Sequence, residues 1–255
     1  MPNKSLGQHW LTDRLILEAI ADCGELNKDD TVLEIGPGLG TLTSVLLKQA
    51  REVFAVEFDP DLARKLPGQF PGTALSVEHA DILDYDLGKL PRDYKVVANV
   101  PYYITSKIVQ RLSESTNPPK TSVLLVQKEV AQRLAAKPGD MSILAVSAQL
   151  YADVELGPLV PARYFTPPPK VDSQVVVLKR RDQPLFSDLD RKAFFRVVKA
   201  GFSAKRKKLR SSLSAGLGIS KQETESILAR AGISPDSRAE MLSLDDWHRL
   251  ATIKI

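Results

Sequence analysis

The sequence is poor in the residues that build disulfides and metal sites. It has a single cysteine, Cys23, and three histidines, His9, His79 and His248, that lie far apart in the chain. One cysteine excludes an internal disulfide framework and a four-cysteine zinc site. Because the histidines are scattered as well, we predict that the protein holds no metal.

Long apolar runs are also missing. The longest uncharged runs, residues 35–47 and 141–152, are shorter than the roughly 20 residues that cross a bilayer. The first residues are polar and are not followed by the apolar core of a signal peptide. With 255 residues, 43% of them hydrophobic and 26% charged, we expect a globular protein that is soluble, makes no membrane contact and works in the cytoplasm.

Short β-rich runs alternate with helical segments through the first two thirds of the chain. Further strand candidates follow at 143–154 and 173–179. The alternation predicts an α/β fold with an open, mostly parallel sheet. The clearest runs are 31–35, 52–56, 75–77, 95–98 and 122–126.

The pattern changes near residue 184, after which no β-rich run follows. Ser187 with Asp190, and Ser220 with Glu223, resemble capping boxes that open helices. We therefore predict two domains: a cofactor-binding catalytic domain at 1–181 and a small, all-helical, basic domain at 185–255 that binds RNA.

Positive charge is concentrated in the second part of the chain. Residues 182–255 carry a net charge of +5 and the rest −1. Residues 196–210, the basic stretch, hold seven Lys and Arg and no acid. This asymmetry favours a nucleic-acid partner; the alternative is a solvated helix face. The basic residues are Arg196, Lys199, Lys205, Arg206, Lys207, Lys208 and Arg210.

A glycine-rich loop connects the first predicted strand to the helix after it. Gly36, Gly38 and Gly40 allow a ligand to approach the backbone closely. Glu57 ends the next strand, where a carboxylate can accept hydrogen bonds from both hydroxyls of a ribose. A dinucleotide is one candidate, but the third glycine is one position early, and Glu34 before the loop would repel a pyrophosphate.

An acid before the loop suits a cationic ligand, such as the amino group and sulfonium of S-adenosylmethionine. Asp81 follows the third strand, where it could bond the amino group of adenine; the alternative is a helix N-cap or surface acid. Taken together in chain order, the loop and the acids predict a methyltransferase.

The segment Asn99-Val100-Pro101-Tyr102 follows the fourth strand and indicates the target atom. The exocyclic nitrogen of adenine is a poor nucleophile, because its lone pair is delocalised into the ring. The side-chain oxygen of Asn99 and the carbonyl of Val100 could accept its hydrogens and localise that pair. Pro101 stiffens the loop, and Tyr102 offers a stacking surface. The alternative is an ordinary turn after a strand.

These residues resemble the ribosomal RNA adenine dimethyltransferase family, the KsgA-type small-subunit enzymes, over nearly the whole chain. Residues 4–11 are similar to the N-terminal motif of the family. Residues 126–131 and 165–173 are similar to two motifs that methyltransferases in general do not need. The fold implied is a Rossmann-like class I S-adenosylmethionine-dependent methyltransferase sheet. The predicted cofactor contacts are His9, Leu11, Glu34, Gly36, Gly38, Gly40, Glu57, Asp81 and Asn99.

The resemblance also implies a substrate. The family dimethylates two adjacent adenines in the 3′-terminal hairpin loop of small-subunit ribosomal RNA, within a late assembly intermediate of the subunit. The target base must leave its stack, and Phe165 could flank it; the alternative for Phe165 is a core aromatic. We expect a monomer whose RNA contacts include Tyr102, Phe165, Lys205, Arg206, Lys207 and Lys208.

Two rival functions stay open. One is a sister enzyme that dimethylates an adenine of large-subunit RNA and confers antibiotic resistance. The motif at 165–173 and the basic helical domain favour the small-subunit type. The other is a non-catalytic assembly factor on the same fold, against which the intact Glu57, Asp81, Asn99 and Tyr102 argue.

Overall fold

Strands and helices alternate along the first part of the chain in the computed structural model, which describes residues 9–204 and 206–253. The strands are β1 (Trp10–Leu11), β2 (Thr31–Ile35), β3 (Glu52–Glu57), β4 (Leu75–His79), β5 (Lys95–Asn99), β6 (Thr121–Gln127), β7 (Ala152–Val160), β8 (Phe165–Thr166) and β9 (Ser173–Arg180). The helices are α1 (Arg14–Asp22), α2 (Thr43–Gln49), α3 (Pro60–Lys65), α4 (Thr105–Ser113), α5 (Lys128–Leu134), α6 (Ile143–Gln149), α7 (Arg191–Phe202), α8 (Leu209–Leu217), α9 (Lys221–Arg230) and α10 (Leu244–Thr252).

The main sheet has the strand order β4-β3-β2-β5-β6-β9-β7. Strands β2 to β6 pair in parallel, and β9 lies antiparallel between β6 and β7. The Rossmann-like α/β prediction is confirmed. The strand order reverses between β2 and β5, and ligands of open α/β sheets bind at such a point, beyond the carboxyl ends of the strands.

Continuous apolar runs explain the central strands, since parallel strands are covered on both faces. Every residue of β2 is buried, and Val32, Val53 and Val97 are fully enclosed in one core with helices α1 and α2. Helix α3 has a favourable start: Asp59 accepts hydrogen bonds from the backbone N–H groups of Asp61 and Leu62, and a proline follows it at the first helical position.

The described residues divide into two compact units: those up to 132 together with 152–180, and 133–151 together with those from 181 onward. The second unit has its own core, which encloses Phe194 and Trp247 completely. Helix α7 passes so close to Trp247 that a Cβ on Gly201 would lie 2.4 Å from the indole ring. Only glycine allows that approach. The elements described beyond residue 190 are all helical.

Two local predictions were wrong. Residues 143–154 do not form one strand: α6 occupies 143–149, because the Ser142 hydroxyl caps it by accepting from the Ala145 backbone, and its apolar residues are buried at helical spacing. Ser187 does not cap α7. The Asp190 carboxylate does so, accepting from the backbone N–H groups of Lys192 and Ala193. As a result 133–151, which we predicted within the first domain, packs in the second unit.

None of the helices within 9–204 and 206–253 combines the length and apolar composition that a membrane span requires.

Candidate active site

A cavity of about 340 Å³ lies in the first unit, beyond the carboxyl ends of β2, β3 and β5. This volume is within the range of small-molecule sites. Its walls come from the glycine loop, from the residues after β3 and β4, and from the segment that follows β5. The fold therefore brings together most of the residues that we predicted to bind a cofactor.

The glycine loop opens onto this cavity. Gly36 and Gly38 have φ angles of +66° and +58°, which residues with a Cβ rarely adopt. A Cβ built on Gly36 would meet no atom within 4 Å, so the backbone there is accessible to a ligand.

Gly40 does not line the cavity. A Cβ at this position would lie 2.7 Å from Leu66 and 2.8 Å from Phe70. The geometry therefore does not support its prediction as a cofactor contact. Glycine is needed there because the loop packs tightly against those two side chains.

The carboxyl group of Glu34 is buried at the end of β2. It accepts a hydrogen bond of 2.6 Å from the hydroxyl of Thr43. Burial raises the pKa of Glu34 to about 8, and the nearby charge of Glu57 contributes to the shift. At neutral pH this group therefore holds a proton that an incoming cation can displace.

Backbone donors orient the other two acids of the cavity. Glu57 accepts from the N–H groups of Gly38, at 3.0 Å, and Asp59, at 2.8 Å. Asp81 accepts from the N–H of Leu83 at 2.9 Å. An ionised carboxylate has about four acceptor positions, so each acid can still accept hydrogen bonds from a ligand.

The segment after β5 lies on the same cavity. The Asn99 amide NH₂ donates to the backbone oxygen of His9 at 3.4 Å, which leaves its side-chain oxygen as the available acceptor. Val100 is buried, and its N–H donates to Leu125. With Pro101 next in the chain, the backbone of this segment is constrained on both sides of the Val100 carbonyl.

Tyr102 is held in place by two neighbours. Its hydroxyl is 2.6 Å from the Ser173 hydroxyl, which is completely buried. Its ring stacks on His9, with ring centroids 5.9 Å apart. Burial raises the pKa of Tyr102 above its ordinary value, so the side chain presents a neutral ring to the cavity.

The N-terminal motif and the proline-rich motif meet at this site. Strand β1 pairs antiparallel with β8, and the His9 ring lies 2.7 Å from the Pro167 carbonyl oxygen. His9 and Leu11 both line the cavity. The part of the N-terminal motif before His9 lies outside the described residues.

Phe165 does not lie at the cavity. Its side chain is 3% exposed and packs in the core of the first unit, with its backbone beside Leu11. This position does not support the prediction that Phe165 flanks a flipped base. It is the position of the alternative, a core aromatic.

The model of the ribosomal RNA adenine dimethylase family matches residues 2–255 of the chain. The chain belongs to the ribosomal RNA adenine dimethylase family.

Relatives of the chain match nearly its whole length. It is 40% identical over 254 residues to the "Ribosomal RNA small subunit methyltransferase A" of Dehalococcoides mccartyi, covering 98% of this chain and 87% of that protein. A crystal structure of the 23S rRNA methyltransferase ErmE matches with a TM-score of 0.76 and 32% identity, over 95% and 98% of the two chains. The structure of a dimethyladenosine transferase from Plasmodium falciparum matches with a TM-score of 0.82 and 26% identity, over 95% and 96%.

This member of the adenine dimethylase family is thus an S-adenosylmethionine-dependent enzyme that acts on ribosomal RNA. The cavity fits the cofactor: Gly36 leaves its backbone open to a ligand, and three carboxyl groups face a molecule with a cationic sulfonium and amino group. Within residues 9–204 and 206–253, no three His, Cys, Asp or Glu side chains are arranged to hold a metal ion.

The basic stretch lies in the second unit, where Arg206, Lys207 and Lys208 connect α7 to α8 and are exposed. The sequence of the stretch contains no acid, but the fold supplies two. Asp236 lies 3.0 Å from Lys208 and 3.6 Å from Arg210, and Glu225 lies 3.6 Å from Arg210. Arg206 and Lys207 form no ion pair with any residue that the structure describes. The predicted RNA contact Lys205 lies outside the described residues.

Among the lining residues that were not predicted are Trp10, Phe58, Tyr103 and Lys107. Phe58 and Tyr103 are 54% and 66% exposed. Phe58 and Tyr103 each follow directly after a predicted site residue, Glu57 and Tyr102. This adjacency was the one pattern in the sequence that could have indicated them. We also missed Ser173, whose link to Tyr102 spans 71 positions and leaves no local pattern.

Proposed function

We propose that this enzyme dimethylates the exocyclic amino groups of two adjacent adenosines in the 3′-terminal hairpin loop of small-subunit ribosomal RNA. The observation that carries the proposal is the position of Asn99 to Tyr102 on the same cavity as the glycine loop and its acids. That arrangement supports the transfer of a methyl group to a flat base with an amino group.

The side chains of the cavity fit the cofactor as follows. Glu57 would accept hydrogen bonds from the ribose hydroxyls of S-adenosylmethionine, and Asp81 from its adenine amino group. Glu34 would face its cationic amino group, while Gly36 and Gly38 would allow close approach. When bound, the cofactor supplies an electrophilic methyl group.

The segment after β5 prepares the nucleophile. The Asn99 side-chain oxygen and the Val100 carbonyl accept hydrogen bonds from the two N–H groups of the adenine amino group. The lone pair of that nitrogen is thereby localised and directed at the methyl donor. Tyr102 stacks on the base, with its own orientation fixed by Ser173. The proton leaves to water after the transfer, so no strong general base is required.

The second unit supplies contacts to the RNA backbone in this proposal. Arg206 and Lys207 are exposed cations without a partner among the described residues, which suits phosphate binding. We further propose that the enzyme works as a monomer in the cytoplasm, on a late assembly intermediate of the small subunit.

The ErmE likeness favours a second candidate, dimethylation of a large-subunit adenine. The experiment is methyl transfer from labelled S-adenosylmethionine to unmethylated small subunits and, in parallel, to protein-free large-subunit RNA. We expect four methyl groups per small subunit, on two neighbouring adenosines. Labelling of large-subunit RNA alone would support the second candidate, and no labelling of either would support a non-catalytic assembly factor.

A further inference from the structure

The cavity has a cationic and aromatic rim that the cofactor does not explain. Lys107 is the only Lys or Arg among the described residues that line it, although three carboxyl groups share the same walls. Lys107 forms no ion pair with them or with any other described residue. Because an ammonium group repels a cationic cofactor, this residue suits a different, anionic ligand.

Tyr103 is a second exposed residue on the same wall of the cavity. It follows Tyr102 in the short turn Tyr102–Ile104 that leads into α4, and Lys107 comes four residues later, in the first turn of that helix. Both side chains line the cavity, yet Tyr103 is 66% exposed and Lys107 is exposed as well. They are therefore on the open side of the site, beside the residues proposed to receive the target base.

An exposed aromatic ring and an unpaired ammonium group on the same cavity match the chemistry of a nucleotide. The ring can stack on a base of any type, and the ammonium group can neutralise a phosphate. We propose that Tyr103 and Lys107 form a subsite for the nucleotide adjacent to the target adenosine, with its base on Tyr103 and the linking phosphate at Lys107. This inference rests on the proposed function.

The subsite has a consequence for the reaction. When the target bases are two neighbouring adenosines, one of them occupies the subsite while the other is methylated; because the RNA strand has a direction, a fixed subsite receives the neighbour on one side only. The base held on Tyr103 then helps to keep its neighbour unstacked and inside the cavity. The subsite does not use any residue that we propose to hold the cofactor.

The test pairs a change in the enzyme with a change in the RNA. Unmethylated small subunits are reconstituted with normal RNA and with RNA that has an abasic residue in place of one target adenosine. Methylation of the remaining adenosine is then measured as kcat/KM. For the unmodified enzyme we expect the abasic residue to lower this value about tenfold, since a stacking partner is lost.

Tyr103→Ala should lower kcat/KM by a similar factor on normal RNA and be insensitive to the abasic residue, while Tyr103→Phe keeps the wild-type behaviour. Lys107→Gln should reduce the salt dependence of subunit binding by roughly one phosphate contact. Cofactor affinity should stay unchanged in the two Tyr103 variants and should not fall in Lys107→Gln, since a repelling charge is removed there. The matched controls are Tyr164→Ala and Lys120→Gln, an exposed tyrosine and lysine of the same unit that do not line the cavity.

If Tyr103→Ala responds to the abasic residue as strongly as the unmodified enzyme, the subsite proposal is overturned. The same holds if Tyr164→Ala reproduces the loss. Failure of the unmodified enzyme to methylate normal subunits contradicts the proposed function instead, so the two failures can be told apart.

Discussion

The cavity of the first unit and the basic stretch of the second unit hold their charges in opposite ways. In the cavity, Glu34, Glu57 and Asp81 each accept a hydrogen bond from the protein itself, so their positions are fixed before any ligand arrives. In the basic stretch, Arg206 and Lys207 are exposed and have no partner among the described residues. Fixed groups suit one small molecule of defined shape, whereas exposed cations without a partner suit a polyanion whose phosphates only position the protein.

The largest effect should come from the segment after β5. We expect Asn99→Ala to lower the methylation rate about 100-fold or more, the scale seen when a preorganised polar contact to the reacting group is removed. Cofactor affinity should fall far less. Single-turnover kinetics and calorimetric titration of the same variant measure the two quantities.

Asn27→Ala, an exposed asparagine of the same unit, serves as the control. If Asn99→Ala lost cofactor affinity and methylation rate by the same factor, Asn99 would act through the cofactor, and its proposed role on the target adenine would be contradicted.

Glu57, the acid that ends β3, should show the next largest effect. Glu57→Ala should weaken binding of S-adenosylmethionine by about 1–3 kcal/mol, because a charged acceptor for the ribose is lost. Calorimetric titration checks this, with Glu78→Ala, an exposed acid on the neighbouring strand, as the control. Unchanged cofactor affinity in a folded Glu57→Ala variant would contradict the proposed contact between Glu57 and the ribose.

The basic stretch should show a smaller effect of a different kind. Changing Arg206 and Lys207 together to Gln should weaken subunit binding and reduce its salt slope by roughly one to two, since fewer counterions are released. Lys208→Gln should change the slope less, because Asp236 already neutralises that lysine. Subunit binding across several salt concentrations provides the measurement.

Cofactor binding should be the same in the variants of the basic stretch as in the unmodified protein. An equal salt slope for the unmodified protein and the double variant would mean that the RNA contact lies elsewhere, and the comparison between the two units would no longer hold.

The smallest effect concerns the proton on Glu34. Burial raises its pKa to about 8 in the folded protein, against 4.5 ordinarily. Between these pH values the folded state holds a proton that the unfolded state has lost, so this group's contribution to stability falls as pH rises from about 4.5 to about 8. In Glu34→Gln this loss should be absent. Thermal unfolding of the cofactor-free protein at pH 5 to 8 checks the prediction; an identical pH slope in both proteins would contradict it.

Local patterns predicted the parts of the molecule that depend on neighbouring residues. The glycine loop, Glu57, Asp81 and Asn99 each follow a β-rich run, and the fold brings all of these strand ends to one cavity.

The parts that the sequence did not reveal depend on residues far apart in the chain. The burial of Phe165 comes from pairing with Leu11, and the need for glycine at position 40 comes from Leu66 and Phe70. Asp236 reaches Lys208 only through the packing of the helical unit. No periodicity or spacing records such contacts.

The pairing of β1 with β8 also constrains how the protein is made. His9 and Pro167 are 158 positions apart, so the N-terminal wall of the cavity cannot close until the ribosome that makes the chain has added the proline-rich segment. Contacts between such distant residues form slowly compared with local ones. A nascent chain can therefore assemble β2 to β5 while the N-terminal wall of its cofactor site is still open, and that wall closes only late in the synthesis of the chain.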